Sequence, residues 1–238
     1  MPEVREGDDL VALIGDALDG LGHSPADGDV VVVASKVVSK SAGRRLQANP
    51  HPDPEAERIA GLTGQPADEV AAVLSESTGV LRAEPGVLVV ETRHGYVCAN
   101  AGVDRSNTGA AGTALLLPDD PDADAARIRE GLAQRYHASV AVLVSDTFGR
   151  PFRHGLVNVA LGVAGMQPIR DYRGQSDPEG RALTGTELAV ADELCAAAEL
   201  VMNKLDRVPV ALIRGYEFET SAGSGRDLLR DPATDYFR

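Results

Sequence analysis

Lysine is nearly absent from this chain. Of 23 basic side chains only three are lysine: Lys36, Lys40 and Lys204. A general preference for arginine on the surface accounts for the scarcity. It does not account for two of the three standing together behind a strand. A compact ammonium that must reach a phosphate is one role arginine fills poorly. A basic excess is also missing. The net charge is −13, which argues against non-specific nucleic-acid binding and fits an acidic surface, halophile-like or simply soluble. No apolar run approaches the roughly 18 residues of a membrane-spanning helix. The opening residues, MPEVREGDDL, lack a basic region followed by an apolar one, so no signal peptide is expected. Two cysteines, Cys98 and Cys195, form neither a disulfide framework nor a zinc site, and a reduced, cytoplasmic protein is the expectation. No glycine-rich loop ending in GK[ST] occurs, so any nucleotide site is not a P-loop.

What is present is a mixture of helical and strand patterns without a strict βαβ repeat. At 238 residues the chain can bury a sizeable core, and with no internal repeat or clear linker it reads as one domain over 1–238. Leu10, Leu13, Ile14, Ala17, Leu18 and Leu21 recur at helical spacing. Val30 to Val33, Val87 to Val90, Tyr96 to Ala99, Val140 to Val144 and Val208 to Ile213 read as strands, with Pro209 favouring an edge or strand-start position in the last. Residues 43–66 read as a loop with a short helical piece, and Pro66 suits the first turn of a helix through Leu74. A helix is expected from about Ala123 to Tyr136. Thr184 and Glu187 have the spacing of a capping box opening a second helix that runs to Met202. Residues 166–183 read as irregular.

Three segments carry chemistry. VVVVASKVVSK, residues 30–40, ends a strand in Ser35 and Lys36, with Ser39 and Lys40 following; hydroxyls and ammoniums there suit phosphate oxygens. CANAGVDRSNTG, residues 98–109, offers Asp104, Ser106 and Asn107, oxygen ligands suited to Mg²⁺ or Mn²⁺ or, equally, an Asx-turn. VSDTFGRPFRHG, residues 144–155, brings Asp146 and Thr147 to a strand end. Arg150, Arg153 and His154 follow as candidate anion contacts, with a salt-bridged turn as the simpler alternative. His94 reads as a turn residue, Cys98 and Cys195 as buried packing, and Asp192 and Glu193 as solvated helix faces. Two aspartates among lysines and arginines imply a metal-assisted reaction on phosphates, without choosing between kinase, ligase and phosphatase.

These motifs together resemble the coenzyme F-420 γ-glutamyl ligases, including the ligase domain of the actinobacterial two-domain version. The matching pieces run in order: MPEV at 1–4, GDDL at 7–10, VVVASKVVSK at 31–40, ETRHGYVCANAGVDRSN at 91–107, SDTFGRPFRHG at 145–155, GVAG at 162–165, ELAVADELCAAAELVM at 187–202 and PVALIRG at 209–215. The resemblance implies an α+β fold of unusual mixed sheet, neither P-loop nor Rossmann, in an intertwined homodimer. It implies GTP as co-substrate, L-glutamate and the coenzyme F-420 precursor as partners, and an acyl-phosphate intermediate on the precursor's lactyl-phosphate tail. It implies Mg²⁺ or Mn²⁺, two ions, with a monovalent cation as a further candidate, and no nucleic acid or membrane partner.

Carried over by position, the metal residues are Asp104, Asp146 and Thr147. The nucleotide residues are Met1, Pro2, Glu3, Val4, Ser35, Lys40 and Asn107, then the loop Met202, Asn203, Lys204, Leu205, Asp206, Arg207, Val208 and Pro209. Two departures follow. The resemblance implies a short strand ahead of MPEV, and this sequence begins inside the match, so a misassigned start codon or a missing edge strand is expected. Many members place a metal-binding glutamine where Lys204 stands; an ammonium cannot ligate a metal but can hold a phosphate. With the sequence ending at Arg238, no fused reductase-like domain is expected. A metal-dependent phosphatase and a non-catalytic deazaflavin-binding module are the competing readings.

Overall fold

The computed structural model describes residues 1–47, 51–105 and 113–237. At its centre is a four-stranded mixed sheet. Strand β1 (Val30–Ala34) lies parallel to β7 (Ala141–Gly149), while β11 (Val210–Ile213) and β8 (Leu156–Ala164) flank the pair antiparallel, giving the order β11-β1-β7-β8. Strands covered on both faces tolerate continuous apolar runs, and Val30, Val31, Val32 and Val33 are fully buried.

The two faces of the sheet sort by the strand period of two. Val31, Val33, Val142 and Val144 pack against α1 (Leu10–Gly20) and α5 (Pro121–Tyr136) through Leu10, Ile14, Ile128 and Leu132. Val30, Val32, Ala141 and Leu143 pack against α6 (Val190–Met202) through Ala191, Leu194, Cys195 and Ala198. The chain encodes the helix starts locally. Asp9 and Asp120 accept hydrogen bonds from the N–H groups of Ala12 and Ala123, both at 3.0 Å, and Pro121 occupies the first turn of α5.

Around this layer lie smaller elements. Helix α2 (Ser35–Ser41) follows β1 directly. Strand β2 (Arg45–Gln47) pairs with β6 (Thr113–Leu115). Helices α3 (Pro54–Thr63) and α4 (Ala67–Ser75) pack on the sheet β3 (Ser77–Glu84), β4 (Val87–Thr92) and β5 (Val97–Ala99). A short ribbon joins β9 (Arg170–Asp171) to β10 (Glu187–Leu188). The result is the mixed α+β arrangement expected, with neither a closed barrel nor a Rossmann sheet among the described residues.

Three expectations are corrected. The strand at Val140 to Val144 does not stop there: it continues to Gly149, because β8 pairs with it through Thr147↔Asn158 to Gly149↔Leu156. The Thr184–Glu187 pair does not open a helix; Glu187 is in β10, and α6 begins at Val190. Asp192 is not a solvated face residue. Its carboxylate accepts from the Ala160 N–H at 2.8 Å, beside the bulge where β8 places Leu161 between two rungs of the ladder. Burial raises the Asp192 pKa, against the opposing pull of that N–H.

Candidate active site

The carboxyl ends of β1 and β7 point the same way, and a crevice opens beyond them, the usual place for a ligand in a sheet with parallel strands. It has a volume of about 370 Å³, within the range of small-molecule sites. Its walls come from four parts of the chain: Met1 to Val4, the β1–α2 junction with Lys36 and Lys40, Ser145 to Thr147 on β7 with Asn158 on β8, and the end of α6 with the following loop to Pro209.

All three lysines of the chain line this one cleft, joined by Arg207. In a protein of net charge −13, that concentration of cations marks a place for an anion. Lys40 lies 3.9 Å from Glu3 and is largely buried. Val4 is buried in the core beneath α1, and the Gly7 N–H donates to the Ser41 carbonyl at 2.9 Å. These contacts fix Met1, Pro2 and Glu3 over the cleft.

Asp146 stands on β7 one step past the last β1–β7 rung, Ala34↔Ser145, where β1 has already turned into α2. Burial raises its pKa above the usual carboxylate value. The Thr147 N–H, the Lys36 charge, the Ser35 hydroxyl and the Lys204 charge all pull the other way. Ser35, buried at the start of α2, therefore touches the site through Asp146.

Asp104 arrives from another direction. Asn100, Ala101 and Gly102 have φ of 53°, 52° and 67°, a left-handed turn after β5. A Cβ on Gly102 would fall 2.8 Å from the Leu117 side chain, so glycine is required there. Asp104 then bridges Leu115, with N–H to carbonyl distances of 2.9 and 2.7 Å, and ion-pairs with Lys36. Lys36 thus bears on both aspartates. The two carboxylates share the Lys36 charge and Thr147 follows Asp146 on β7; carboxylate and hydroxyl oxygens are hard donors that fit Mg²⁺ or Mn²⁺. Among the described residues no group of three His, Cys, Asp or Glu forms a cage of its own. Any ion held there would need further oxygens from elsewhere.

Thr147 donates to the Asn158 side-chain oxygen at 2.6 Å and accepts from the Lys204 ammonium, which pairs with Glu199 at 2.5 Å. Glu199 and Asn158 escape the sequence reading, for an acid on an alanine-rich helix and an amide within a strand carry no local signal. Their partners are distant in sequence.

The remaining expected residues fall as follows. Met202, Asn203, Val208 and Pro209 line the cleft, whereas Leu205 and Asp206 are exposed on the outer part of the loop. Arg150, Arg153 and His154 lie on the exposed β7–β8 turn and do not line it; Arg150 donates to the carbonyls of Gly155, at 3.3 Å, and His154. Asn107 lies outside the described residues. Cys98 is buried, and burial together with the Asp146 charge pushes its thiol up to about 12, so it offers no thiolate.

Comparison with known proteins gives the family. The profile of the family described as F420-0:Gamma-glutamyl ligase matches residues 1–215. A protein of Methanothermobacter thermautotrophicus named coenzyme F420:L-glutamate ligase is 47% identical, over 100% of this chain and 96% of that protein. Proteins of the same name from Haloarcula marismortui and Methanopyrus kandleri are 44% and 39% identical, over 100% and 99% of this chain and 93% and 94% of theirs. With the profile spanning most of its length and these relatives matching it almost end to end, the chain belongs to the F420-0:gamma-glutamyl ligase family.

Proposed function

We propose that the protein is a coenzyme F-420:L-glutamate ligase that uses GTP and Mg²⁺ or Mn²⁺. The observation that carries the reading is the convergence of all three lysines on one cleft beside Asp146. A triphosphate and a phosphate-bearing acceptor both require fixed cations, and the chain spends its ammoniums there. The names of the relatives supply the acceptor and the amino acid.

A carboxylate is a poor electrophile until one of its oxygens becomes a good leaving group. In the proposed sequence the tail carboxylate oxygen attacks the γ-phosphorus and GDP leaves. The glutamate amine then attacks the acyl carbon and phosphate leaves. Lys40, held against Glu3 under the amino-terminal segment, fixes the nucleotide phosphates. Lys36 and Lys204 neutralise charge that gathers on the transferring group. Asp104 and Asp146 would hold the divalent ion, which would neutralise phosphate charge when bound. The segment Met1 to Glu3 and the loop residues Asn203, Lys204 and Arg207 to Pro209 form two walls of the site.

We also carry forward a homodimer and a cytoplasmic location. Phe152, Leu156 and Phe237 are strongly exposed and Phe152 packs on Phe237 at 5.2 Å, a patch suited to a second copy. No helix among the described residues is long and apolar enough to cross a membrane.

The test is incubation of the protein with GTP, Mg²⁺ or Mn²⁺, L-glutamate and the unglutamylated cofactor, read by mass spectrometry. The reading expects products heavier by glutamate residues and equimolar GDP. Phosphate release without added glutamate would favour a phosphatase instead.

A further inference from the structure

Lys204 and Glu199 are five residues apart and would not face each other on a continuing helix. They meet because α6 ends at Asn203, whose backbone takes φ 54° and ψ 179°, and the chain folds back. The Asn203 amide donates to Asp206 at 3.0 Å and holds the loop in that course. The ammonium is then fixed between the Glu199 carboxylate and the Thr147 hydroxyl.

The Thr147 oxygen is largely used. Its hydrogen goes to Asn158 and one lone pair takes the Lys204 N–H, so one lone pair remains, beside a fixed positive charge. Lys36 ion-pairs with Asp104, and the Lys36 and Lys204 charges both bear on Asp146. A divalent ion placed on the Thr147 oxygen would stand against the fixed Lys204 ammonium, whereas the Asp104 and Asp146 carboxylates offer it negative charge.

Resting on the nucleotide-dependent reading above, we propose that Lys204, positioned by Glu199, is a built-in cation that replaces a divalent ion at Thr147 and meets a nucleotide phosphate there. The cleft then holds one divalent ion per chain, at Asp104 and Asp146. Glu199 is a positioning residue: it keeps the ammonium aimed at the phosphate site.

The test counts protein-bound Mn²⁺ by electron paramagnetic resonance under saturating GDP, and measures GDP affinity in EDTA. Wild type should bind one Mn²⁺ per chain and retain GDP binding without metal. Lys204→Gln frees Glu199 and Thr147, so it should take a second Mn²⁺. Having lost the ammonium, it should bind GDP about tenfold more weakly or worse in EDTA. The double variant Glu199→Gln, Lys204→Gln should return to one Mn²⁺ while keeping the weak GDP binding. Circular dichroism confirms that each variant is folded. Two Mn²⁺ in wild type would overturn the inference, as would a folded Lys204→Gln protein that fails either change. Absence of GDP binding by folded wild type would instead remove the nucleotide reading, and this inference with it.

Discussion

Lys36 and Asp104 form an ion pair that joins the start of α2 to the turn after β5, and the same ammonium acts on Asp146. Removing it should leave two carboxylates without a shared counter-charge. Lys36→Met should therefore lose about 1–3 kcal/mol of stability in EDTA. Because a divalent cation restores the missing charge, excess Mg²⁺ should raise the melting temperature of the variant more than that of wild type. Equal shifts by differential scanning calorimetry would show that the aspartates do not share one cation.

The acid limb of stability should depend on Asp29. It is buried, and burial alone would raise its pKa, but two hydrogen bonds from Arg214, at 2.9 and 2.7 Å, and one from the Ala26 N–H, at 2.8 Å, outweigh that. The folded pKa lies below the ordinary 3.8. A lowered carboxylate pKa contributes stability that is present above the unfolded value and is lost as pH falls through the folded one. Asp29→Asn should thus be less stable near neutrality by about 1–3 kcal/mol and should lose less on acidification than wild type does. Melting curves from pH 7 to below 4 check both slopes.

Two glycines permit close backbone approaches at β8, one to the start of α5 and one to the carboxyl-terminal segment. A Cβ on Gly162 would sit 2.1 Å from the Pro121 carbonyl oxygen, and one on Gly225 would sit 2.1 Å from that of Leu161. Asp122 completes the joint, accepting from the N–H groups of Val163 and Gly225, both at 2.8 Å. Gly162→Ala and Gly225→Ala should each cost at least about 1–3 kcal/mol, the range for overpacking against a rigid neighbour. Gly61→Ala, in α3 with open space around it, should add about 0.5–1 kcal/mol. Chemical denaturation of the three variants gives the signs directly.

Asp192 should matter to the sheet and not to solubility. It supplies the acceptor for the Ala160 N–H beside the β8 bulge. Asp192→Ala leaves that donor unsatisfied and should cost about 1–3 kcal/mol, whereas Asp192→Asn retains an acceptor and should cost less. Hydrogen exchange at Ala160 should speed up in the first variant and much less in the second.

These residues also mark how far local pattern carries. The valine run of β1 and the apolar stripe of α1 are legible because packing on a sheet face or helix stripe imposes a period on neighbouring residues. Strand β8 is not: buried Asn158 breaks its apolar pattern and the bulge shifts its register, and its stray N–H groups are satisfied by Asp122 and Asp192 from two different helices. The same holds in the cleft. Lys40, Asp104 and Asp146 sit in motifs compact enough to read. Glu199 acquires its role only when the break at Asn203 turns Lys204 back toward Thr147, a consequence of folding that no local pattern displays.

The central chemical claim is that phosphate activates the tail carboxylate. The measurement that tests it most directly uses acceptor labelled with ¹⁸O in that carboxylate, with GTP, L-glutamate and metal. One ¹⁸O should appear in the released inorganic phosphate for each amide bond formed, as seen by mass spectrometry or by the isotope shift in phosphorus NMR. Amide formation with unlabelled phosphate would contradict the account.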